Sequence, residues 1–545
     1  MCTLAFRALT AFVLLSLIIE GCRRHCLAHR FGQRHAYLFH RTAPIHANTR
    51  QNYRISRKAL DSDRFHSSRY SDSDVYQRLS SCFTESEKTV DEQVFKSLKD
   101  SVVRLTDAGH GYVPSSFDLT ALTAVPELFN ENFRLRLENH WETLLQIREL
   151  YLESSAKEKE LETLSTRRSE LAQAFHSSPD SEKEQLRQSS LELRDAHKSL
   201  ESHIKSLNDR IEALVFTLPN IVSEGVPPTE VVVEKTSGSL PSSQPQETVV
   251  PHYEVIDRLS AASVSKSIKI SGTGFSAFSG DVSRLERALA NYMLDTHHKL
   301  FGYTEFSVPF VVNEFALRET GHLPRFENDL YKLDERHQCG GGRGYLIPTG
   351  EIPLLALFGN TRLDFNTLPL WLATYTPCFR SEIQDYGRET RGLIRNRQFG
   401  KVELICLCDS EASAHFHDLM VSHIEYILDS LSLPYRRVLL PATQLCATSS
   451  KTVDIEVFFP SLNKYVEVSS CSNTLDYQST RLNLLTTSRS KVHCINGSGL
   501  AIGRTLSAVL EHYQHLDSNG RLQIRVPEVL QPYLGGDHTV AEPLP

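Results

Sequence analysis

No Cys-x-x-Cys pair occurs anywhere in the chain, although it has eleven cysteines. Their scattered positions and odd number exclude a disulfide scaffold and a zinc ribbon. The chain also lacks a run long enough to cross a bilayer as a helix, which takes about 20 apolar residues. The apolar stretch at residues 8–19 is twelve residues long and is broken by Thr10 and Ser16. Acid is missing from residues 21–60, which carry nine Lys/Arg and five His but no Asp or Glu. Proline is missing between Pro126 and Pro219 except at Pro179. With 40% apolar and 23% charged residues over a length of 545, the chain is neither wholly disordered nor fibrous, and has material for two to four domains. Residues 1–60 hold ten Lys/Arg against one acid, Glu20. The net −7 therefore splits into +9 at the front and −16 for the rest, and contacts with nucleic acid must come from local basic patches.

The front end reads as an address. Residues 8–19 have the length of a signal-peptide apolar core, with Arg7 before it and Arg23-Arg24 after it. The basic, acid-free segment behind it has no apolar periodicity and resembles an organellar transit peptide. Residues 1–22 are thus read as signal-like, 23–75 as a transit-like disordered segment and 76–126 as an extension without an assigned role. The pair resembles the bipartite leader of proteins sent through the secretory route into a plastid bounded by extra membranes. A mitochondrial presequence, or a secretory signal with a basic tail, are the alternatives. No membrane contact is expected of the mature form.

Before Pro179, positions 147, 150, 154, 157, 161, 164, 168, 171 and 175 step alternately by 3 and 4, and six of the nine are apolar; Ser154, Lys157 and Arg168 are not. After it, positions 193, 197, 200, 204, 207, 211, 214 and 218 are apolar at all but His197. Such stepping is a coiled-coil seam. The turn His176-Ser177-Ser178-Pro179-Asp180-Ser181 folds the two helices into an antiparallel hairpin over residues 127–219. Its partner is either a second copy of the chain or something the solvated arm touches. Residues 220–250, with Pro227-Pro228, Ser237-Gly238-Ser239 and Pro245, read as a polar linker.

Residues 251–537 have the texture of an antiparallel α+β domain, with an amphipathic helix at 281–300 and strands at 371–375 and 401–408 joined by the polar loop 381–391. Alternate side chains of a strand share a face. Thr376, Cys378, Arg380 and Glu382 therefore fall together, as do Arg395, Arg397, Phe399, Lys401 and Glu403. A face carrying cations, a ring and carboxylates must meet itself, water or a ligand, because unpaired charge is costly to bury. Residues 538–545 are expected to be a disordered tail.

Thr376-Pro377-Cys378-Phe379-Arg380-Ser381-Glu382, Gly387-Arg388-Glu389-Thr390-Arg391-Gly392-Leu393-Ile394-Arg395 and Gln398-Phe399-Gly400-Lys401-Val402-Glu403 resemble the second signature of class II aminoacyl-tRNA synthetases, in the form found in seryl-tRNA synthetases. Leu285-Glu286-Arg287-Ala288-Leu289 with Val308-Pro309-Phe310-Val311 is similar to the first signature. Leu346-Ile347-Pro348-Thr349-Gly350-Glu351 is similar to the serine-binding loop. Glu467-Val468-Ser469-Ser470 and the run from Asn496 to Thr505 resemble the ATP-site strand and the third signature. The similarity extends over about residues 127–537.

The resemblance implies an antiparallel-sheet catalytic domain behind a tRNA-binding coiled-coil hairpin, with ATP and Mg²⁺ as cofactors and no zinc. Arg380 would bridge the serine carboxylate and the α-phosphate, and Arg395 and Arg504 would hold the γ-phosphate; Arg380 and Arg504 are the catalytic residues implied. The ATP set is completed by Ser381, Glu382, Asn396, Arg397, Gln398, Phe399, Glu467, Val468, Ser469 and Ser470. Phe399 would stack on adenine, and Glu382 would accept from its amino group. Glu467 and Ser470 would hold Mg²⁺; their opposite strand parity requires a bend or bulge. Serine would be read by Thr349, Gly350, Glu351, Arg380, Glu403, Asn496 and Ser498. Gly350 stands where the family has Ala or Ser, and Gly340-Gly341-Gly342 is either a mobile flap or a lengthened turn.

Partners implied are L-serine, tRNA(Ser) and a second copy of the chain, the first signature forming the interface of a homodimer. Lys157, Arg167, Arg168 and Lys198, with Lys159, Lys183, Arg187, Arg194 and Lys205, are candidate phosphate contacts on the arm. The function implied is serine–tRNA ligase in an organelle. A catalytically silent relative that binds RNA, and an activator that loads a carrier protein, are the alternatives.

Overall fold

The computed structural model describes residues 118–240, 249–259, 264–382 and 392–541. The leader at 1–75, most of the extension, residues 241–248 of the linker and the loop 383–391, with Gly387 to Arg391, lie outside the described residues.

The chain enters through two short helices. Helix α1 (Leu119–Ala124) is capped by the Asp118 carboxylate, which accepts from the Thr120 and Ala121 amides, and α2 (Pro126–Arg134) starts with proline at its first position. The long helices α3 (Trp141–Ser177) and α4 (Asp180–Val215) form the hairpin, with Pro179 between them and Asp180 and Glu182 in the first turn of α4. The predicted seam is buried at Ile147, Leu150, Ser154, Leu200, Ile204, Leu207 and Ile211, whereas Arg168 is exposed. Polar seam residues pair across it. Ser154 donates to Asn208 at 2.9 Å, and Ser165 meets His197 at 3.0 Å.

Burial is concentrated at the arm's root, where Leu144, Ile147, Leu150, Leu207, Ile211 and Val215 pack with Leu122 and Phe133 of α1 and α2. The root therefore begins by Asp118, earlier than residue 127, because the hairpin needs α1 and α2 to cover its apolar base.

Among the described residues, eight strands make the main sheet: β1 (Val232–Ser237), β2 (Thr304–Glu305), β3 (Leu370–Phe379), β4 (Gln398–Asp409), β5 (Tyr435–Leu439), β6 (Lys451–Phe459), β7 (Lys464–Asn473) and β8 (Val492–Ala501), in the order β1-β5-β6-β7-β8-β4-β3-β2. Every neighbouring pair is antiparallel except β2 with β3. Helices α5 (Gly280–Phe301), α6 (Ser413–Ser430) and α7 (Ile502–His512) bury their apolar faces in the main core with the sheet. Helix α5 stops at Gly302, whose left-handed conformation caps it. This is the antiparallel-sheet α+β arrangement expected, with the hairpin preceding it.

Two further boundaries differ from the sequence reading, and one of its open alternatives is decided. The linker contributes β1, whose residues pair with β5, because a valine run beside an open sheet edge supplies a strand. The tail is ordered through Ala541, since Thr539–Ala541 pairs with Leu522–Arg525. Gly340 and Gly341 are the two-residue loop of a hairpin in which Cys339 pairs with Gly342. Both have positive φ, as a tight hairpin loop requires, so the glycines make a turn. No helix among the described residues is long and apolar enough to cross a membrane.

Candidate active site

A cleft of about 730 Å³ opens over the centre of the sheet, above β4, β7 and β8. Strand pairing builds its floor. Glu403 on β4 lies directly opposite Thr374 of β3 on one side and Ser498 of β8 on the other, and Phe399 lies opposite Cys378. Alternation on β4 then presents Phe399, Lys401 and Glu403 to one face, and all three line the cleft.

At one end of the cleft is a compact polar cluster. The Glu403 carboxylate accepts from the Lys401 ammonium at 2.6 Å and from the Thr349 hydroxyl at 2.5 Å, and Lys401 also reaches Thr349 at 3.0 Å. All three are buried. Glu351 accepts from Gln478 at 2.6 Å and from Asn496 at 3.1 Å. Burial pushes both carboxyls above the ordinary range; for Glu403, Lys401 opposes the shift, and for Glu351 the Gln478 bond does. His322 in the same wall is held down to about 4 by burial and by the nearby cations Arg380 and Lys401, so it is neutral at physiological pH.

Arg380 links this cluster to the rest of the cleft. It lies just past the end of β3, where its amide donates to Arg397 O and so extends the β3–β4 pairing by one residue. Its Nε donates to Pro348 O at 3.3 Å, immediately before Thr349, and its guanidinium lies over the Phe399 ring at 5.3 Å. Further along, Arg395 Nε donates to Glu382 at 2.6 Å. Arg504, at the start of α7, donates to Ile394 O at 2.8 Å and Glu467 O at 2.7 Å, with the Glu467 carboxylate at 3.4 Å.

The bulge required on β7 is present. Ile455 pairs with Ser469 but Glu456 pairs with Glu467, which leaves Val468 as the extra residue. Glu467, Val468 and Ser470 consequently all line the cleft. Asp454 of β6 stands beside them, with burial raising its carboxyl well above its ordinary value and Glu467 adding to the rise. One of its oxygens is buried without a hydrogen-bond partner. A hard oxygen set with an unpartnered carboxylate oxygen suits Mg²⁺, an ion held by one or two carboxylates together with phosphate oxygens. Among the described residues, no group of three or more His, Cys, Asp or Glu is arranged to hold a metal ion by itself.

Of the residues expected at the site, Thr349, Glu351, Arg380, Glu382, Arg395, Asn396, Phe399, Glu403, Glu467, Val468, Ser470, Asn496, Ser498 and Arg504 line this cleft together. Five do not. Ser381 turns outward and donates to Asn328 O at 2.9 Å. Arg397 stands in a bend at the start of β4, where its stem packs on Gly274. Gln398 is exposed on the face of β4 opposite Phe399. Ser469 faces the other side of β7 and donates to Ser498 O at 2.6 Å. Gly350 lies beneath the cleft, where an added Cβ would stand 3.0 Å from the Thr374 methyl and 3.1 Å from the Thr376 hydroxyl; its missing side chain relieves a tight contact with the sheet. Lys401, Asp454 and His322 are among the cleft residues to which the sequence assigned no role. Lys401 shared the parity of Phe399 and Glu403, and this was the available signal.

Comparisons with known proteins follow the same outline. Residues 331–513 match the tRNA synthetase class II core domain (G, H, P, S and T). The serine–tRNA ligase of Methylococcus capsulatus is 43% identical over 346 residues, 62% of this chain and 79% of that protein. That of Cellvibrio japonicus is 41% identical over 349 residues, 63% of this chain and 79% of that one. The chain belongs to the serine–tRNA ligase family. Among solved structures, seryl-tRNA synthetase from Pyrococcus horikoshii complexed with ATP superposes with a TM-score of 0.69 at 26% identity, covering 78% of this chain and all of that one. The cytoplasmic enzyme of Naegleria fowleri, in complex with AMP, gives 0.67 at 27%, covering 77% and 96%. The chain is thus a class II aminoacyl-tRNA synthetase, and all but four of the residues that line the cleft fall within the matched segment 331–513.

Burial of Glu351 generates a stability prediction. Its folded pKa is raised, so the folded state binds the proton more tightly than the unfolded chain and loses stability as pH rises out of the ordinary carboxylate range. Glu351→Gln keeps an oxygen for Gln478 and Asn496 and removes that penalty. The urea midpoint of the variant, relative to the unsubstituted protein, should therefore rise between pH 5 and pH 8. A difference that stays constant with pH would assign the slope to other groups.

Proposed function

We propose that this serine–tRNA ligase joins L-serine to ATP in the cleft and then transfers serine to the 3′ end of tRNA(Ser). In the first step a serine carboxylate oxygen attacks the α-phosphorus, the bond to the β-phosphate oxygen breaks, and pyrophosphate leaves with the electron pair. In the second, a hydroxyl of the terminal ribose attacks the seryl carbonyl, its proton is lost, and AMP leaves.

The observation that carries this reading is the position of Arg380. Its guanidinium touches both the Phe399 ring and the carbonyl of Pro348 at the entrance to the Thr349–Glu351 loop. A carboxylate held there would meet a phosphate held there under one planar cation, which offsets the repulsion between two anions where they must react. Phe399 supplies a flat face for a base. Arg504 and Arg395 supply guanidinium groups at the far end for phosphate oxygens. ATP as the nucleotide is supported by the ATP and AMP complexes of the Pyrococcus and Naegleria proteins. Mg²⁺ would be held by Glu467 and Ser470 beside Asp454, and when bound it supplies positive charge against the phosphates.

Selection of serine is supported by the cluster at the other end. A hydrophobic pocket distinguishes one hydroxyl by only about 1–3 kcal/mol, whereas polar groups left unpaired by the wrong substrate reject it more strongly. Glu403 and Ser498, cross-strand neighbours, are placed to pair a hydroxyl, and Thr349 with Glu403 to pair an ammonium.

The arm is proposed to bind tRNA. Arg167, Arg168 and Lys198 are exposed along it, whereas Lys157 pairs with Glu160 at 2.9 Å and Lys183 with Asp180 at 2.7 Å. A homodimer is proposed through the first-signature region, where Phe310, Val311 and Phe315 are exposed. Organellar placement is proposed from the leader, with the plastid as destination.

Arg380→Ala should lower serine-dependent ATP–pyrophosphate exchange by about 10²–10³-fold, the scale for loss of a charge-stabilising donor; exchange near the unsubstituted rate would remove its assigned role. Replacing residues 158–203 by a short Gly-Ser link keeps the packed root at Leu144, Ile147, Leu150, Leu207 and Ile211. This variant should retain exchange and lose tRNA charging, and intact charging would refute the arm's role. A fluorescent fusion of residues 1–126 should accumulate in the plastid when imaged in cells; mitochondrial or secreted signal would overturn the address.

A further inference from the structure

We infer that the root of the arm positions one wall of the catalytic cleft, and that Arg136 is the positioning residue. Residues 445–450 connect β5 to β6 and contribute Cys446, Thr448 and Ser449 to the cleft lining. This segment is neither helix nor strand; its one internal backbone bond runs from the Ser449 amide to Cys446 O at 3.0 Å, so its other carbonyls need partners from elsewhere. All six accept hydrogen bonds from the arm root or from the chain leaving it.

Arg136 lies just after α2 and is 7% exposed. Its Nη1 donates to Leu445 O at 3.3 Å and to Cys446 O at 3.1 Å, its Nη2 to Ser449 O, and its Nε to Asn220 O at 3.1 Å. Asn220 takes the carbonyls between these. Its amide donates to Ala447 O at 2.7 Å and its Nδ2 to Thr448 O at 2.9 Å and Thr474 O at 2.7 Å. The Ser223 amide donates to Ser450 O at 3.0 Å.

One planar cation thus spans four carbonyls of two segments. A lysine, with a single ammonium, reaches only a subset of them. Burial pulls Arg136 down to about 10, and it stays a cation at neutral pH. Because the wall has no ladder of its own, its shape is set by this clamp. Binding of substrates in the cleft then depends on Arg136, 309 positions before Leu445, and on Asn220, 228 positions before Thr448, both outside the part of the hairpin that projects into solvent. The inference rests on the reading of the cleft as the site of serine activation.

Cys446 gives the wall a reporter, since the residue reaches solvent while its sulfur, which accepts from the Thr448 hydroxyl at 3.6 Å, is partly covered by the segment itself. The test is made on the full-length protein, following alkylation of Cys446 by iodoacetamide, resolved by peptide mass spectrometry, alongside ATP–pyrophosphate exchange with KM and kcat separated. Arg136→Ala should raise the Cys446 labelling rate about tenfold, as local opening becomes easier. It should also raise KM for ATP or serine more than it lowers kcat. Added guanidinium ion should restore part of both, and Arg136→Lys should fall between. The protein shortened at residues 158–203 keeps Arg136 and Asn220, and its Cys446 labelling should match that of the intact protein. Unchanged labelling and KM in Arg136→Ala would overturn the proposal. Labelling that rises in a protein whose unsubstituted form shows no exchange would sustain the clamp and sink the functional reading instead. If Arg136→Ala does not fold, Asn220→Ala, which removes the bonds to Thr448 O and Thr474 O, takes its place; a smaller rise in labelling supports the clamp and none overturns it.

Discussion

The buried contact between Lys401 and Glu403 constrains the whole centre of the molecule. An ammonium and a carboxylate 2.6 Å apart, both almost removed from water, are set in the middle of an eight-stranded sheet, where most proteins place aliphatic side chains. Removing either partner from such a pair leaves an uncompensated charge and costs about 3–5 kcal/mol, while two hydrophobic residues in their place would cost little. The pair is therefore poorly explained as a device for stability. It makes sense as a polar end to a cleft, held in register by Thr374 on one side and Ser498 on the other, with Thr349 supplied from a separate loop. The antiparallel sheet is what allows this precision, because cross-strand neighbours are fixed by register and each of the three groups comes from a different segment.

Departures from regular pairing place the remaining groups. An unbroken β7 would send Glu467 and Ser470 to opposite faces. The extra residue at Val468 brings both to the cleft next to Asp454. On β8 the register also shifts between Ser498 and Ala501, just before the chain turns into α7 and delivers Arg504. Gly499 lies inside that irregularity. A Cβ there would come within 2.9 Å of Val402 and 3.1 Å of His297, so close packing of β8 on the core excludes a side chain. The charged groups are thus aimed by local breaks in a sheet whose regular part supplies rigidity.

How much of this was legible in the sequence depended on the kind of signal each feature leaves. The hairpin was legible because 3–4 stepping of apolar residues is a direct record of which face is buried, and Pro179 marks the turn. The floor of the cleft was legible from period-2 parity on β4, which put Phe399, Lys401 and Glu403 together. Parity failed for Arg397 because the chain bends there and its side chain packs on Gly274 instead. On β7 the opposite parity of Glu467 and Ser470 announced a bend or bulge, whereas Ser469, included only by the resemblance, falls on the other face. Asp454 and His322 left no pattern: each stands among other polar residues of its segment, and only the fold brings it beside Glu467 or Arg380. Strand β1 and the ordered residues 539–541 were missed for a related reason. A short edge strand is decided by whether a neighbour offers unpaired backbone groups, and the neighbour is distant in sequence.

The arm root follows the same logic at larger scale. Arg136 reads as one more cation on a basic helix end, and Asn220 as a linker residue after Pro219. Their roles appear only when the segment 445–450 is seen to lack a ladder of its own. A segment in this state must borrow its donors, and the cheapest source is a cation with several N–H groups in one plane, since each carbonyl left dry would carry a desolvation cost of about 1–3 kcal/mol. This accounts for why the arm root is packed as tightly as a domain core while the outer hairpin is exposed along most of its length. The inner end is part of the catalytic body, joined to it by hydrogen bonds to consecutive carbonyls. The outer end is held only by its own seam. A long helical arm can therefore bend without disturbing the cleft, provided the bend lies beyond Leu150 and Ile204.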